Sequence, residues 1–448
     1  MNSKNIQHSA FSIQHSEIAY LRSAGAIRDR CGVLFELGCE DRLSHFRCDL
    51  TQLERVADYV IGVMREEYPN LEIPFHSRWR HFEAGGVPRL AELDDMLVGV
   101  SAVEKAKVKF DLAIISVLLD AGAGNSWQYY EQESDRAFRR SEGLAVASFR
   151  LFYHGYLSTN EEWLLQADAQ GLQGITEASL SSSFQVSPDN PLVGLAGRVE
   201  LLQKLGKTLL SKPHIFGSDN PRPGNLVNYL LEHSHNGQLS AQTVLSTVLE
   251  GLGDIWTGRV EIAGVNLGDV WHHPALKLRT RGQGDKETKE TMANCLHPSS
   301  YPYGEASYIL HPSLVPFHKL SQWLTYSLLE PLEELGLEIT ELNALTGLPE
   351  YRNGGLCLDL GLLQAKPPDI FQYPHSADSE VIVEWRALTV ILLDRIADTV
   401  RQKLNMNAEQ LPLVKILQGG TWSAGRKIAN ELRAGLPPIQ LESDGTVF

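Results

Sequence analysis

Apolar residues along this chain recur mostly at three- and four-residue steps, the spacing that places them on one side of a helix. In Val315–Leu335 the series is Phe317, Leu320, Leu324, Leu328, Leu332 and Leu335, and a second stripe runs Val381, Trp385, Leu388, Leu392, Ile396, Val400. The same pattern predicts helices over Val100–Leu119, Ala137–Phe152, Leu192–Leu210, Leu226–His233 and Ala241–Gly251. Runs that would mark strands are short, as in Val260–Val265 and Leu356–Leu360. The expected fold is mainly α, a large helical body with a few short strands.

Three stretches interrupt the helices. Ser211–Asn225 is dense in Pro, Gly and Asn and reads as a linker or long turn. Arg279–Gly304 is polar and alternately charged, either a mobile lid over a site or a solvated insertion. Gln364–Ser379 carries three prolines before the second long helix. Domain boundaries are weakly signalled. The best division is a helical region 1–220 and a helical region 221–448, together one continuous body.

Composition narrows the function classes. A chain of 448 residues, 43% hydrophobic and 21% charged, is ordinary for a soluble globular enzyme with a sizeable core. A formal charge of -15 argues against a general nucleic-acid binder, which needs a basic surface. Five scattered cysteines suit a reduced protein. Residues 1–20 show no secretory signal, and the longest apolar run, Leu112–Leu119, is too short to cross a bilayer. A cytoplasmic protein with no membrane partner is expected.

The densest chemistry lies in Pro74–Gly86, PFHSRWRHFEAGG, where His76, Arg78, Arg80, His81 and Glu83 are interleaved with Phe75, Trp79 and Phe82. Arginine forks grip phosphate or carboxylate, and aromatic faces hold a flat ring, so the segment suits a pocket for a polar small molecule. It suits equally a loop whose arginines pair with carboxylates elsewhere. Leu345–Asp359, LTGLPEYRNGGLCLD, displays Glu350, Tyr351, Arg352 and Asn353 on a backbone that its glycines and proline make irregular; the alternative is a tight helix-to-strand connection. Glu384, beside Trp385 of the apolar stripe and followed by Arg386, lies at the margin of that face, where a carboxyl has its pKa raised, as a general acid or base needs, or finds a firm partner; the equal alternative is a buried Glu–Arg brace between helices. His318, Gln322 and Thr325, and Asp120 with Trp127, are weaker polar spots. The Gly122-Ala123-Gly124 turn lacks the remaining marks of a dinucleotide fingerprint, and no P-loop, HExxH or GxSxG is present. Cys39, His45 and Cys48 lack a close Cys pair and a clear fourth ligand for zinc. No metal or other cofactor is expected.

Six segments in order, HSRWRHFEAGG, RSEGLAVASF, VPFHKLSQWLTYSLLEP, LTGLPEYRNGG, VEWRALTV and the ending GTWSAGR…SDGTVF, resemble the uracil-catabolism protein family of fungi and bacteria, long catalogued as a domain of unknown function. Gln418-Gly419-Gly420 departs from that family, where an acidic residue is usual. The resemblance implies a role in a ring-opening route for uracil, in which the pyrimidine is first made a nucleotide and a ribosylurea-type intermediate later yields urea; it leaves the chemical step of this member open. A more distant similarity, at Tyr326, Glu384 and Arg386, is to the queuosine-salvage nucleoside hydrolases; it implies a DNA-glycosylase-like body and cleavage of an N-glycosidic bond. On this reading Glu384 is the carboxylate at the anomeric centre, with Glu350, Asp359 and Glu83 competing for base or ribose contacts. Arg78, Arg80 and Arg352 would bind phosphate or carbonyl oxygens. Trp79, Tyr351 and Trp385 would shape the pocket, with His81, Tyr326 and Arg386 alongside. The implied ligand is uracil, a uracil nucleoside or nucleotide, or a ribosylurea. The other class of function left open is a non-catalytic regulator that binds uracil or an intermediate.

Overall fold

A computed structural model describes residues 14–124, 126–256, 260–276 and 311–442. The expected Arg279–Gly304 segment, Cys295 and the final SDGTVF lie outside the described residues.

The principal helices are α1 (Ala24–Cys39), α2 (Leu53–Glu67), the single turn α3 (Trp79–Phe82), α4 (Ala102–Leu118), α5 (Arg140–Tyr153), α6 (Leu195–Ser211), α7 (Ala241–Leu252), α8 (Lys319–Glu334), α9 (Tyr351–Asp359), α10 (Glu380–Leu404) and α11 (Ser423–Arg433). The protein is mainly α. Every residue of α10 from Val381 to Val390 is buried, which marks it as the central helix rather than a surface one. Ser379 caps its start, and Asn405 closes it with φ 53°. Around it pack α1, α2 and α9, while α8 lies on α4 and α7. One apolar cluster runs from Ala24 to Ile439, so the two halves of the chain share a core.

Strands occur as five two-stranded pairs among the described residues. The pair Phe46–Cys48 with Leu363–Ala365 is antiparallel, and Gln238–Ser240 with Glu338–Thr340 is parallel. Val260–Val265 forms the expected β structure as a hairpin that turns at Ala263 and Gly264, both at positive φ. No described helix is long and apolar enough to cross a membrane.

Two local expectations change. Leu356–Leu360 is not a strand; all but its last residue lie in α9. Glu350 caps that helix by accepting from Arg352 N at 2.9 Å and Asn353 N at 2.6 Å, and this overrides a short apolar alternation. Gly354 and Gly355 therefore stand inside a helix instead of loosening a loop. Gly354 is needed for close packing, since a Cβ there would sit 2.6 Å from Trp385 Nε1. The helix expected from Ala137 begins at Arg140, because Arg136–Arg139 pair with Gln128–Glu131 as a hairpin.

Candidate functional site

The helix starts converge on one hollow of about 270 Å³. His76 and His81 come from the loop and turn around α3, and Asp120 from the turn after α4. Arg140 and Ser141 open α5, Lys319 and Trp323 open α8, and Glu350, Tyr351 and Arg352 open α9. Trp385 of α10 and Trp422 complete the wall. Trp422 ends a π-helical turn, Leu417–Trp422, an arrangement often found at functional sites. A Cβ at Gly420 in that turn would lie 2.8 Å from Val60. The hollow opens into a second chamber of about 330 Å³, which shares His81, Arg140, Ser141, Tyr351, Arg352 and Trp422.

The electrostatics of the hollow are unusual for so acidic a chain. Arg78, fully buried, lies behind Asp120 and Ser141 of the wall. It pairs with Asp120 at 2.9 Å, donates to Ser116 Oγ at 2.7 Å and to Ser141 Oγ at 3.0 Å. Ser141 Oγ in turn donates to Asp120 Oδ2 at 2.9 Å, so the carboxylate is held from two sides. Burial pushes the Glu350 carboxyl upward, against the opposing pull of the Arg352 and Asn353 amides and of Lys319. Burial likewise lowers the Lys319 ammonium. His76, hydrogen-bonded to Gln418 at 2.9 Å, is lowered to about 4 by burial, and His81 is driven well down by burial and by Arg78. Both imidazoles are neutral at pH 7.

Among the described residues, Trp323 Nε1, His81 Nδ1, Arg352 Nη1 and Trp385 Nε1 on the wall have no hydrogen-bond partner, and Asp120 Oδ1 has only its ion pair with Arg78. Trp323 and His81 are only 4% and 6% exposed, so water does not readily satisfy them. Buried polar groups are ordinarily paired, so these atoms are available to a polar molecule that enters the cavity. The Arg352 guanidinium lies 4.6 Å over the Trp422 ring, which fixes its plane.

Of the residues expected at a site, the structure brings His81, Glu350, Tyr351, Arg352 and Trp385 to this cavity, with Arg78 behind its wall. The others lie elsewhere. Glu384 is fully buried and away from the hollow, accepting from the amides of Ser44, His45 and Phe46 at 3.1, 3.0 and 3.2 Å, with His273 Nε2 at 3.5 Å. It anchors the chain between α1 and the first strand. Asp359 is clamped by Arg433, at 2.8 and 2.5 Å. Arg80 pairs with Glu330 at 2.6 Å, and Trp79 donates to Ser327 O at 2.6 Å. Tyr326 donates to Thr346 O at 3.1 Å, Arg386 holds Asp269 at 2.8 and 2.7 Å, and Glu83 is exposed. The sequence reading passed over Lys319, Trp323, Arg140 and Trp422, and ranked Asp120 low. The available signal for Asp120 was a lone acid between an apolar helix and a glycine turn.

The Cys39 and Cys48 thiols hydrogen-bond to each other. Among the described residues, His45, Glu380 and Glu384 bring possible metal-ligand atoms within 4.8 Å. The three amides on Glu384 already give that carboxylate a structural task.

Fold and site together define a helical protein built around a small cationic, aromatic-walled cavity containing two carboxylates. Residues 20–448 match the family described as "Protein of unknown function (DUF1688)", and the chain belongs to that family. It is 37% identical over 441 residues to "Protein urg3" of Schizosaccharomyces pombe (strain 972 / ATCC 24843), covering 96% of this chain and 99% of the relative. To "Uracil catabolism protein 4" of Lachancea kluyveri it is 36% identical over 462 residues, again with 96% and 99% covered.

Proposed function

We propose that the protein acts in uracil catabolism as a hydrolase of an N-glycosidic bond, on a uracil-derived nucleoside or nucleotide or a ribosylurea. The name of the Lachancea relative supports the process. The observation that carries the reaction is the cavity in which unpartnered donors, Trp323 Nε1 and Arg352 Nη1, face the same space as Asp120 and Glu350.

Breaking a C1′–N bond builds positive charge on C1′ and the ring oxygen, and negative charge on the departing nitrogen. Asp120, held by Arg78 and Ser141, is the carboxylate for the cationic side, and it can take a proton from the attacking water. Glu350, its carboxyl pushed upward by burial, is the group on this wall placed to pass a proton to the leaving nitrogen. Trp323 and Arg352 donate to carbonyl oxygens of the base or urea, and Trp385 and Trp422 exclude water from the reacting centre.

The test is product analysis with purified protein on uridine-type and ribosylurea-type substrates, by chromatography for released base or urea. Glu350→Gln and Asp120→Asn should each lower turnover about 10²- to 10⁴-fold while ligand binding persists. Tight binding of uracil by calorimetry with no turnover of any such substrate would instead mark the protein as a sensor.

A further inference from the structure

The outer chamber differs in character from the inner one. It is lined by Arg139, Arg140, Arg352, Arg426 and Arg433, and Glu142 is the one acidic residue among its described lining. Two of the arginines have carboxylate partners: Arg433 is taken by Asp359, and Arg426 shares Glu142 at 2.9 Å. Arg140 donates to the neutral Gly435 carbonyl at 3.0 Å, and Arg352 Nε reaches only the Tyr351 hydroxyl at 3.3 Å. Neither of these two guanidinium groups forms an ion pair among the described residues. Both side chains are half-buried, and a partly desolvated cation gains from an anion that answers it.

Geometry says what kind of anion. Arg140, Arg352 and Arg426 come from three separate helices, α5, α9 and α11, and so approach the chamber from different directions. Gly425 permits this, because a Cβ there would lie 2.3 Å from the Arg352 carbonyl. The fourteen-residue α5 begins at the same place with no side chain capping its first amides. His81 Nδ1, on a side chain 6% exposed, and Arg352 Nη1 are unpartnered polar atoms on the wall common to both chambers. A carboxylate has two oxygens and is answered by one guanidinium fork. A terminal phosphate has three, and suits several forks plus helix amides.

We infer that the substrate is a phosphomonoester of a ribose-type sugar, with its phosphate in the outer chamber on Arg140, Arg352 and Arg426 and its anomeric carbon in the inner cavity near Asp120 and Glu350. This rests on the glycosidic reading for the inner cavity only; the phosphate site stands on the outer chamber alone. It also moves phosphate recognition away from Arg80 and Arg78, neither of which lines the outer chamber.

Calorimetry on the full chain with ribose 5-phosphate, ribose and inorganic phosphate as separate probes tests the inference without requiring turnover. Ribose 5-phosphate should bind, ribose should not bind at the same concentrations, and inorganic phosphate should compete with the ester. Arg140→Gln and Arg426→Gln should each weaken ribose 5-phosphate by roughly 10- to 100-fold. The Arg426 side chain is 47% exposed, so loss in that variant does not reflect misfolding. Equal binding of ribose and its phosphate, or unchanged affinity in both variants, overturns the inference. So does inorganic phosphate binding that ribose 5-phosphate cannot displace, which would make phosphate a free co-substrate. Hydrolysis of an unphosphorylated nucleoside, with no affinity for ribose 5-phosphate, would leave the proposed reaction standing and remove only this site. Ribose 5-phosphate binding with no hydrolysis of any substrate would do the reverse.

Discussion

Glu384→Gln separates a structural carboxylate from a catalytic one. Glu384 Oε2 accepts from the His45 and Phe46 amides, and Oε1 from the Ser44 amide with His273 nearby. A glutamine keeps one oxygen, which best serves the two amides at Oε2. Its NH₂ then meets the Ser44 N–H donor to donor. One charge-assisted bond is lost and one donor is left unmatched, which costs about 2–3 kcal/mol. Unfolding entropy near 2.1 cal/mol/K per residue gives about 0.9 kcal/mol/K for this chain, so the melting temperature should fall by roughly 2–3 °C. Turnover per folded molecule should stay within about twofold, since Glu384 does not line the cavity. The assay is calorimetric melting beside steady-state release of base or urea. A hundredfold loss of turnover at an unchanged melting temperature would falsify the assignment and return Glu384 to the anomeric centre.

Gly354→Ala should drive a methyl into the Trp385 indole and destabilise the fold by roughly 1–3 kcal/mol, displacing that wall of the cavity; a urea midpoint equal to wild type would show that the contact yields freely. Glu131 is 1% exposed and receives Arg89 Nε at 2.7 Å and Arg150 Nε at 2.8 Å, so Glu131→Ala should strand the buried Arg89 cation and leave Arg150 with Glu92 as its remaining close ion-pair partner, at a cost of about 3–5 kcal/mol, read by denaturant unfolding. His76 titrates at about 4 when folded and near 6.5 when unfolded, so the unfolded chain binds the proton first as the pH falls. Its contribution is complete above pH 6.5 and declines toward pH 4, by roughly 3 kcal/mol in all. His76→Gln should therefore flatten the pH dependence of the urea midpoint across that window, and an identical slope in the variant would contradict the burial argument.

Much of the helical frame was legible in the sequence, because a stripe such as Leu388, Leu392, Ile396 has one efficient way to bury itself. The boundaries at α5 and α9 were less so. There a hairpin at Arg136–Arg139 and a capping carboxylate at Glu350 outweigh short-range pattern, and both depend on neighbours distant in the chain. The site was legible by residue type and not by partner. Arg78, Arg80, Arg352 and Arg386 look alike in one dimension. Only folding shows that Glu330 neutralises the second and that the guanidinium of the third keeps a buried N–H unmatched. Glu384 illustrates the same limit. A carboxyl at the edge of an apolar stripe must find a firm partner or shift its pKa, and spacing along one helix does not reveal that three amides of a remote loop are waiting for it.

The irregular backbone of the molecule gives an independent reason to regard the hollow as the working part. Arg140 has φ 53° immediately before Ser141, and His318 has φ 46° immediately before Lys319. Left-handed conformations at such residues cost free energy and persist where the surroundings impose them. Trp422 reaches the same wall through a π-helical turn that depends on two consecutive glycines against α2 and its flank. Positive φ occurs at nine other non-glycine residues among those described, Asp41 and Asn405 for example, so what distinguishes Arg140 and His318 is that each opens a helix on the cavity. What the departures share is their outcome. Each delivers a polar or aromatic side chain to one cavity that the apolar stripes alone would have left closed.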